Sequence, residues 1–217
     1  MKRENNMFTT KTIQEFLDSL ASDAPTPGGG SVAAISGAMG AALVSMVCKL
    51  TIGKKKYADV EAEAKEILEK SESLRSRLTQ MVTDDAASFD RVMSAYRMPR
   101  QSEQEIAARD HAIQVALKEA TLVPLATAQA CAEIITLCQP AVRIGNVNAI
   151  SDLGVAVTMA FAGIKSAALN VWINLGNITD VTFIKEKKIA LDLILKKYSV
   201  LADEVYEAVK SKLCVQS

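Results

Sequence analysis

The chain has one histidine, one tryptophan and four cysteines in 217 residues, and it carries no net charge. Each shortage excludes something. His111 alone cannot build a histidine-based metal site, and it argues against a Ser-His or Cys-His nucleophile pair. It lies in ARDHAIQVALKEA, a helical stretch where it reads as a surface or boundary residue. Aromatic residues make up 5% of the chain, too few for a base-stacking surface. With 25 basic and 25 acidic residues, there is no global attraction for nucleic acid or an anionic membrane. Cys48, Cys131, Cys138 and Cys214 show no CxxC spacing; Cys131 and Cys138 share a helix face, as small core residues do. The opening MKRENNMF lacks the apolar core of a signal peptide, so a reducing cytoplasm is the expected compartment. Any chemistry must therefore fall to carboxylates, amides, lysines or backbone dipoles.

What the chain does have is small and apolar. Hydrophobic residues make up 49% of it, ample for one domain over 1–217. Residues 25–53 read PTPGGGSVAAISGAMGAALVSMVCKLTIG, with no charge before Lys49. Ser31 can cap a helix start. Gly28, Gly29 and Gly30 before it allow close approach to backbone N–H groups that favour anions. A flexible link is the plain alternative. A helix without a polar side is surrounded on all sides. The run is long enough to cross a bilayer, but its Gly, Ala and Ser content favours a buried central helix. Ala33, Gly37, Ala41 and Ser45 form a small-every-fourth stripe that lets another helix come close.

Nearly everything else reads as helix. Thr12 to Glu15 and Ser102 to Glu105 are capping boxes. The spacing predicts a short first helix, the apolar helix from Ser31 to about Thr51, and a long helix from about Asp59 to Ala95. A fourth helix is predicted from Ser102 to about Pro140, kinked at Pro124. A loop or broken helix over Arg143–Leu153 leads into a second low-charge helix, Asp152 to about Leu175. An amphipathic helix from Val181 to Lys212 ends the pattern. No alternation long enough for a strand appears. The expected fold is all-α: a single elongated bundle of long antiparallel helices around two buried apolar helices. Elongated subunits of this kind commonly pair, so a homodimer is expected.

One carboxylate stands where the helical pattern reserves a core position. Along Leu74, Leu78, Met81, Asp85, Phe89 and Val92, Asp85 breaks the apolar stripe, while Asp84 points toward the Gln80 side. A carboxylate facing an apolar interior has its pKa raised, as a general acid/base near neutral pH requires. A structural aspartate held by an amide or lysine is an equal alternative. A second constellation is Gly145-Asn146, Ser151-Asp152, Asn170 and Asn174. Ser151 and Asp152 suit a helix start. Asn170 and Asn174 lie one turn apart in an apolar stretch and need partners: the chain around Gly145, each other's network, or a polar heterocycle.

Taken together, PTPGGGSVAA, GKKKY, TDDAASF, GNVNAISDLGVA and LNVWINL, in that order, resemble a known family. It is the cyclodeaminase domain of formiminotransferase-cyclodeaminase with its free-standing bacterial relatives, the methenyltetrahydrofolate cyclohydrolases. The resemblance covers nearly the whole chain. It implies an all-α dimer acting on reduced folates, polyglutamylated or not, with Asp85 at the place of the family's catalytic aspartate. The family pattern has an acidic residue where this chain has Thr83. The resemblance does not extend to a transferase half, so handover of a formimino-folate within one chain is not expected.

The resemblance also implies roles. Asp85 would move the proton. Gly28, Gly29, Gly30 and Ser31 would hold an anionic or polar part of the substrate. Lys55 and Lys56 would attract the glutamate tail, although a solvated basic turn is the plainer reading of Lys54–Lys56. Asn146, Ser151, Asp152, Asn170 and Asn174 would read the pterin. No metal or redox cofactor is expected beyond the tetrahydrofolate substrate, and no nucleic-acid or membrane partner. Cyclodeamination of 5-formiminotetrahydrofolate stands first, hydrolysis of methenyltetrahydrofolate second, and a non-catalytic helical scaffold third.

Overall fold

The structure, a computed structural model, describes residues 8–214. Most of the MKRENNMF opening, residues 1–7, lies outside the described residues. A 3-10 turn at Phe8–Thr10 precedes α1 (Ile13–Leu20), α2 (Gly29–Thr51), α3 (Glu61–Tyr96), α4 (Glu103–Ile144), α5 (Ile150–Leu175) and α6 (Val181–Cys214). Among the described residues there is no strand. At 1.5 Å per residue, α4 alone runs about 60 Å, so the bundle is long.

Both capping boxes form. The Glu15 N–H donates to the Thr12 hydroxyl at 3.2 Å, and the Glu15 carboxylate accepts from the Thr12 N–H at 2.8 Å. Ser102 and Glu105 repeat the exchange at the start of α4, at 3.2 Å each way. Two boundaries differ from expectation. Ser31 does not cap α2: the helix begins two residues earlier, with Gly28 as a cap that brings no side chain. α4 does not stop at Pro140 but carries both Pro124 and Pro140 inside it and ends at Ile144. A proline forfeits one N–H and crowds one carbonyl, and tight packing outweighs that here: Pro124 is buried, as are Ala141 and Val142 just beyond Pro140. α2 ends where expected, with Gly53 at φ +76° turning the chain away.

α2 and α5 form an antiparallel central pair. Gly40 lies against the main chain of Ala156 and Ala160, and a Cβ there would meet the Ala156 oxygen at 2.9 Å. Four residues from Gly40, the Ser36 hydroxyl donates to the Met159 carbonyl at 2.7 Å. The predicted small-residue stripe of α2 faces α3 and α4: Gly37 meets Cys131 and Leu78, and the Ser45 and Ser71 hydroxyls bond at 2.8 Å. α3, α4 and α6 wrap this pair around a core that includes Val44, Leu78, Ile134, Ile135, Leu153 and Ile164.

Neither central helix is covered on all sides, contrary to the expectation of full burial. Val32, Met39, Met46 and Leu50 of α2 are exposed, and so are Val155, Leu169 (64%), Trp172 and Ile173 (68%) of α5. A sequence of small and apolar residues says that a face avoids water, not that this chain alone covers it. By length and composition, α2, α4 and the α5 region are apolar enough to cross a membrane; 61%, 61% and 50% of their apolar windows are buried inside the bundle.

Candidate active site

At the N-terminal end of α2, four helices enclose a cleft of about 380 Å³, within the size range of small-molecule sites. The glycine corner forms one side, with Pro25, Thr26 and Gly28–Gly30. α3 contributes Asp85, Ser88, Phe89, Met93 and Tyr96; α4 contributes Leu117 and Pro124; α5 contributes Asn170, Ile173 and Asn174. Asp85 is the only carboxylate among these lining residues.

Asp85 is half-buried and reaches its position because α3 runs unbroken past the start of α2. The Ser31 hydroxyl donates to Asp85 Oδ2 at 2.9 Å. A Cβ on Gly30 would stand 2.0 Å from Asp85 Oδ1, so only glycine leaves room for the carboxyl. Burial pushes the Asp85 carboxyl above its ordinary range, and hydrogen bonds from the Ser31 side chain and backbone N–H partly oppose that rise. Asp84 is turned away and accepts from the Gln80 amide at 3.0 Å.

The two amides of α5 do not reach Gly145. Asn170 donates to the Ser166 carbonyl and Asn174 to the Ala120 carbonyl, both at 2.9 Å. Among the described residues neither amide oxygen has a partner, which leaves two acceptors at the cleft. Asn170 lies against Gly29, 3.5 Å from where a Cβ would be. Several cleft residues were given no site role from the sequence, among them Phe89, Met93 and Tyr96 of α3. The signal of these three was present, because they follow Asp85 at steps of four, eight and eleven, along one helical face. The Arg109 guanidinium sits 5.7 Å over the Tyr96 ring and donates to the Tyr96 carbonyl at 3.1 Å.

The structure thus brings together Gly28, Gly29, Gly30, Ser31, Asp85, Asn170 and Asn174. It does not bring Lys55, Lys56, Asn146, Ser151 or Asp152 to them. Those five lie near the other end of α2, about 30 Å away along the helix. Ser31 is wholly buried and faces Asp85 rather than the open cleft. Asn146 is buried and bonds the end of α2: its N–H donates to the Thr51 hydroxyl and its amide to the Leu50 carbonyl, both at 2.9 Å. Lys55 and Lys56 are exposed, and Tyr57 beside them accepts from the Val147 N–H at 3.1 Å. Ser151 and Asp152 occupy the first turn of α5. Among the described residues no three His, Cys, Asp or Glu side chains are grouped to hold a metal ion.

The family described as formiminotransferase-cyclodeaminase matches residues 12–192. A methenyltetrahydrofolate cyclohydrolase from Methylorubrum extorquens is 55% identical over 207 residues, covering 95% of this chain and 100% of its own. The formimidoyltransferase-cyclodeaminase of Sus scrofa is 31% identical over 202 residues; that is 93% of this chain but 37% of the longer protein. A crystal structure of formiminotetrahydrofolate cyclodeaminase from Thermotoga maritima matches with a TM-score of 0.78 and 34% identity, covering 94% of this chain and 96% of the other.

Proposed function

This chain belongs to the formiminotransferase-cyclodeaminase family, and from that premise we propose that it is a one-carbon folate enzyme hydrolysing 5,10-methenyltetrahydrofolate to 10-formyltetrahydrofolate. The observation that carries an acid–base reaction is Asp85, a single half-buried carboxyl with a raised pKa in a cleft otherwise lined by neutral groups. The full-length 55% likeness to a cyclohydrolase puts hydrolysis ahead of cyclodeamination.

In this reading water adds to the methenyl carbon and gives a proton to Asp85. The bond from that carbon to N5 then breaks, and N5 takes the proton from Asp85. The remaining hydroxyl loses its proton to solvent and becomes the formyl oxygen. One proton is released overall, and one carboxyl serves as base and then as acid. The substrate's amidinium carbon is already electrophilic, so the reaction calls on no resident metal or redox cofactor. The amide oxygens of Asn170 and Asn174 suit the donors of a pterin. Arg109, stacked on Tyr96, suits the carboxylates of the glutamate tail, polyglutamylated or not.

Cyclodeamination is the second reading, favoured by the likeness to the Thermotoga maritima enzyme. There N10 attacks the carbon of the protonated formimino group on N5 and gives its proton to Asp85, which passes it to the amino group that then leaves as ammonia. With either activity a cytoplasmic protein is expected, and the buried thiols of Cys48, Cys131 and Cys138, none of them in a disulfide, support that reading. We propose a homodimer formed through the exposed apolar face of α2 and α5, which would also cover the surface that otherwise suits a membrane.

Absorbance of the methenyl chromophore tests the choice. Its accelerated loss from methenyltetrahydrofolate supports the hydrolase. Its appearance from 5-formiminotetrahydrofolate, without loss from the first compound, replaces it with the cyclodeaminase. No change with either compound rejects both.

A further inference from the structure

Asp85 does more than line the cleft. The N-terminus of α2 has four backbone N–H groups without helical acceptors, and its cap residue, Gly28, has no side chain to offer. Asp85 comes from α3, 54 positions away from Ser31, and supplies the missing acceptor. The third helical residue, Ser31, turns both its N–H and its hydroxyl to that carboxylate. The same hydroxyl has a weaker acceptor in the Val82 carbonyl at 3.4 Å, one turn before Asp85 on α3. Ser31 is therefore held between two atoms of α3 and is fully buried. A substrate in the cleft cannot reach it.

We propose that Ser31 is a positioning residue that fixes the Asp85 carboxyl in its working pose, with the missing side chain of Gly30 making that pose possible. The assignment rests on the reading of Asp85 as the proton carrier. The Ser31 hydroxyl holds Oδ2 while Oδ1 lies over Gly30, so the carboxyl is fixed from both sides. The two Ser31 donors favour the charged carboxylate, while burial favours the neutral acid. Removing the hydroxyl leaves burial less opposed, so the pKa rises further. The base form then appears only at higher pH, and the acid limb of the rate profile moves up.

No other ionisable group takes over that control. α2 carries no charge before Lys49. On α3, Asp84 is bonded to Gln80, and Arg91 is paired with Glu119 of α4. The lining residues of α4 and α5 are neutral; beside them Lys118 is paired to Asp180, and Arg109 lies on Tyr96 with Asp110 3.7 Å from its guanidinium. Near α1, Lys11 bonds Ser19 and Glu15 bonds Thr12. Tyr96 is the one other titratable group lining the cleft.

The test is Ser31→Ala in the full chain, beside wild type and Asp85→Asn. Two readouts are taken: the pH profile of kcat with methenyltetrahydrofolate, and the titration of the Asp85 carboxyl by carbon NMR without substrate. The expected result is an upward shift of about 1 pH unit in both, as the loss of one hydrogen bond to a charged group implies. KM should stay near wild type, because Ser31 does not meet substrate. Should Ser31→Ala not fold, Ser31→Cys keeps a weak donor and should show a smaller shift in the same direction. A folded variant whose profile and Asp85 titration both superimpose on wild type overturns the assignment and leaves the folate reading intact. If wild type turns over neither folate, the functional reading fails, and the NMR titration still decides whether Ser31 governs Asp85.

Discussion

At Asp85 the fold and the chemistry pull in opposite directions. A carboxyl whose folded pKa is raised favours the protein most when neutral. Its contribution is fullest below the ordinary carboxylate range and is lost as pH rises through the folded pKa. Asp85→Asn should therefore be at least as stable as wild type at pH 7, with any advantage vanishing near pH 3; thermal melts at the two pH values check this. The same variant should lose about 100-fold or more in kcat. Unchanged turnover would remove Asp85 from its role. Gly30→Ala should also lower kcat steeply, because its Cβ would displace the carboxyl. Arg109→Ala should raise KM about 10-fold with little change in kcat, the sign of a group that binds substrate and transition state alike. Asp85 was legible in the sequence because it interrupts a stripe that spacing alone defines. Ser31 was legible as polar and placed at a helix start, but not as Asp85's partner. That contact spans 54 positions, and no local pattern encodes it.

At the scale of helices, the central contact of α2 and α5 depends on what glycine omits. At Gly40 a side chain would meet main-chain atoms of Ala156 and Ala160, which cannot rotate away. Gly40→Val should cost about 1–3 kcal/mol of stability, read by denaturant unfolding. Gly37 and Gly163 each lie against the Cys131 sulfur, and a larger residue at either crowds one buried side chain of α4. The helices themselves were largely legible, since capping boxes, Gly53 and the Gly176-Asn177 pair mark real ends. Pro140 misled because a proline's local effect yielded to the packing of the turn that follows it. The second constellation misled for a related reason. Asn146 and Asp152 sit on a turn as polar as any ligand site, yet Asn146 spends its hydrogen bonds closing the end of α2. Sequence shows that such groups need partners and not which partners they find.

For the whole molecule, the uncovered side of the bundle has a symmetry of its own. The exposed residues Val32, Met39 and Met46 recur every seven positions along α2, with Met39 midway. A homodimer formed by a two-fold axis is isologous, so residue i meets j while j meets i. Antiparallel pairing of α2 about Met39 sets Val32 of one subunit against Met46 of the other. It would also lay the Lys54–Lys56 turn of one subunit beside the glycine corner of its partner, uniting the two groups of motif residues that one chain keeps about 30 Å apart. In a Cys214→Ser background, which removes the one exposed thiol, Met39→Cys should then form an intermolecular disulfide with its own copy. Val32→Cys alone should not, whereas Val32→Cys with Met46→Cys should. On this pairing Met39→Glu places like charges against each other on the axis and should sediment at the 23.3 kDa of one chain, and wild type should sediment at twice that mass. A wild-type protein that sediments as a single chain at micromolar concentration rejects the pairing and returns the apolar face to another partner. If Met39→Glu is monomeric and folded, its activity decides what the pairing is for: full turnover confines the dimer to covering apolar surface, and lost turnover means that each cleft depends on the neighbouring subunit.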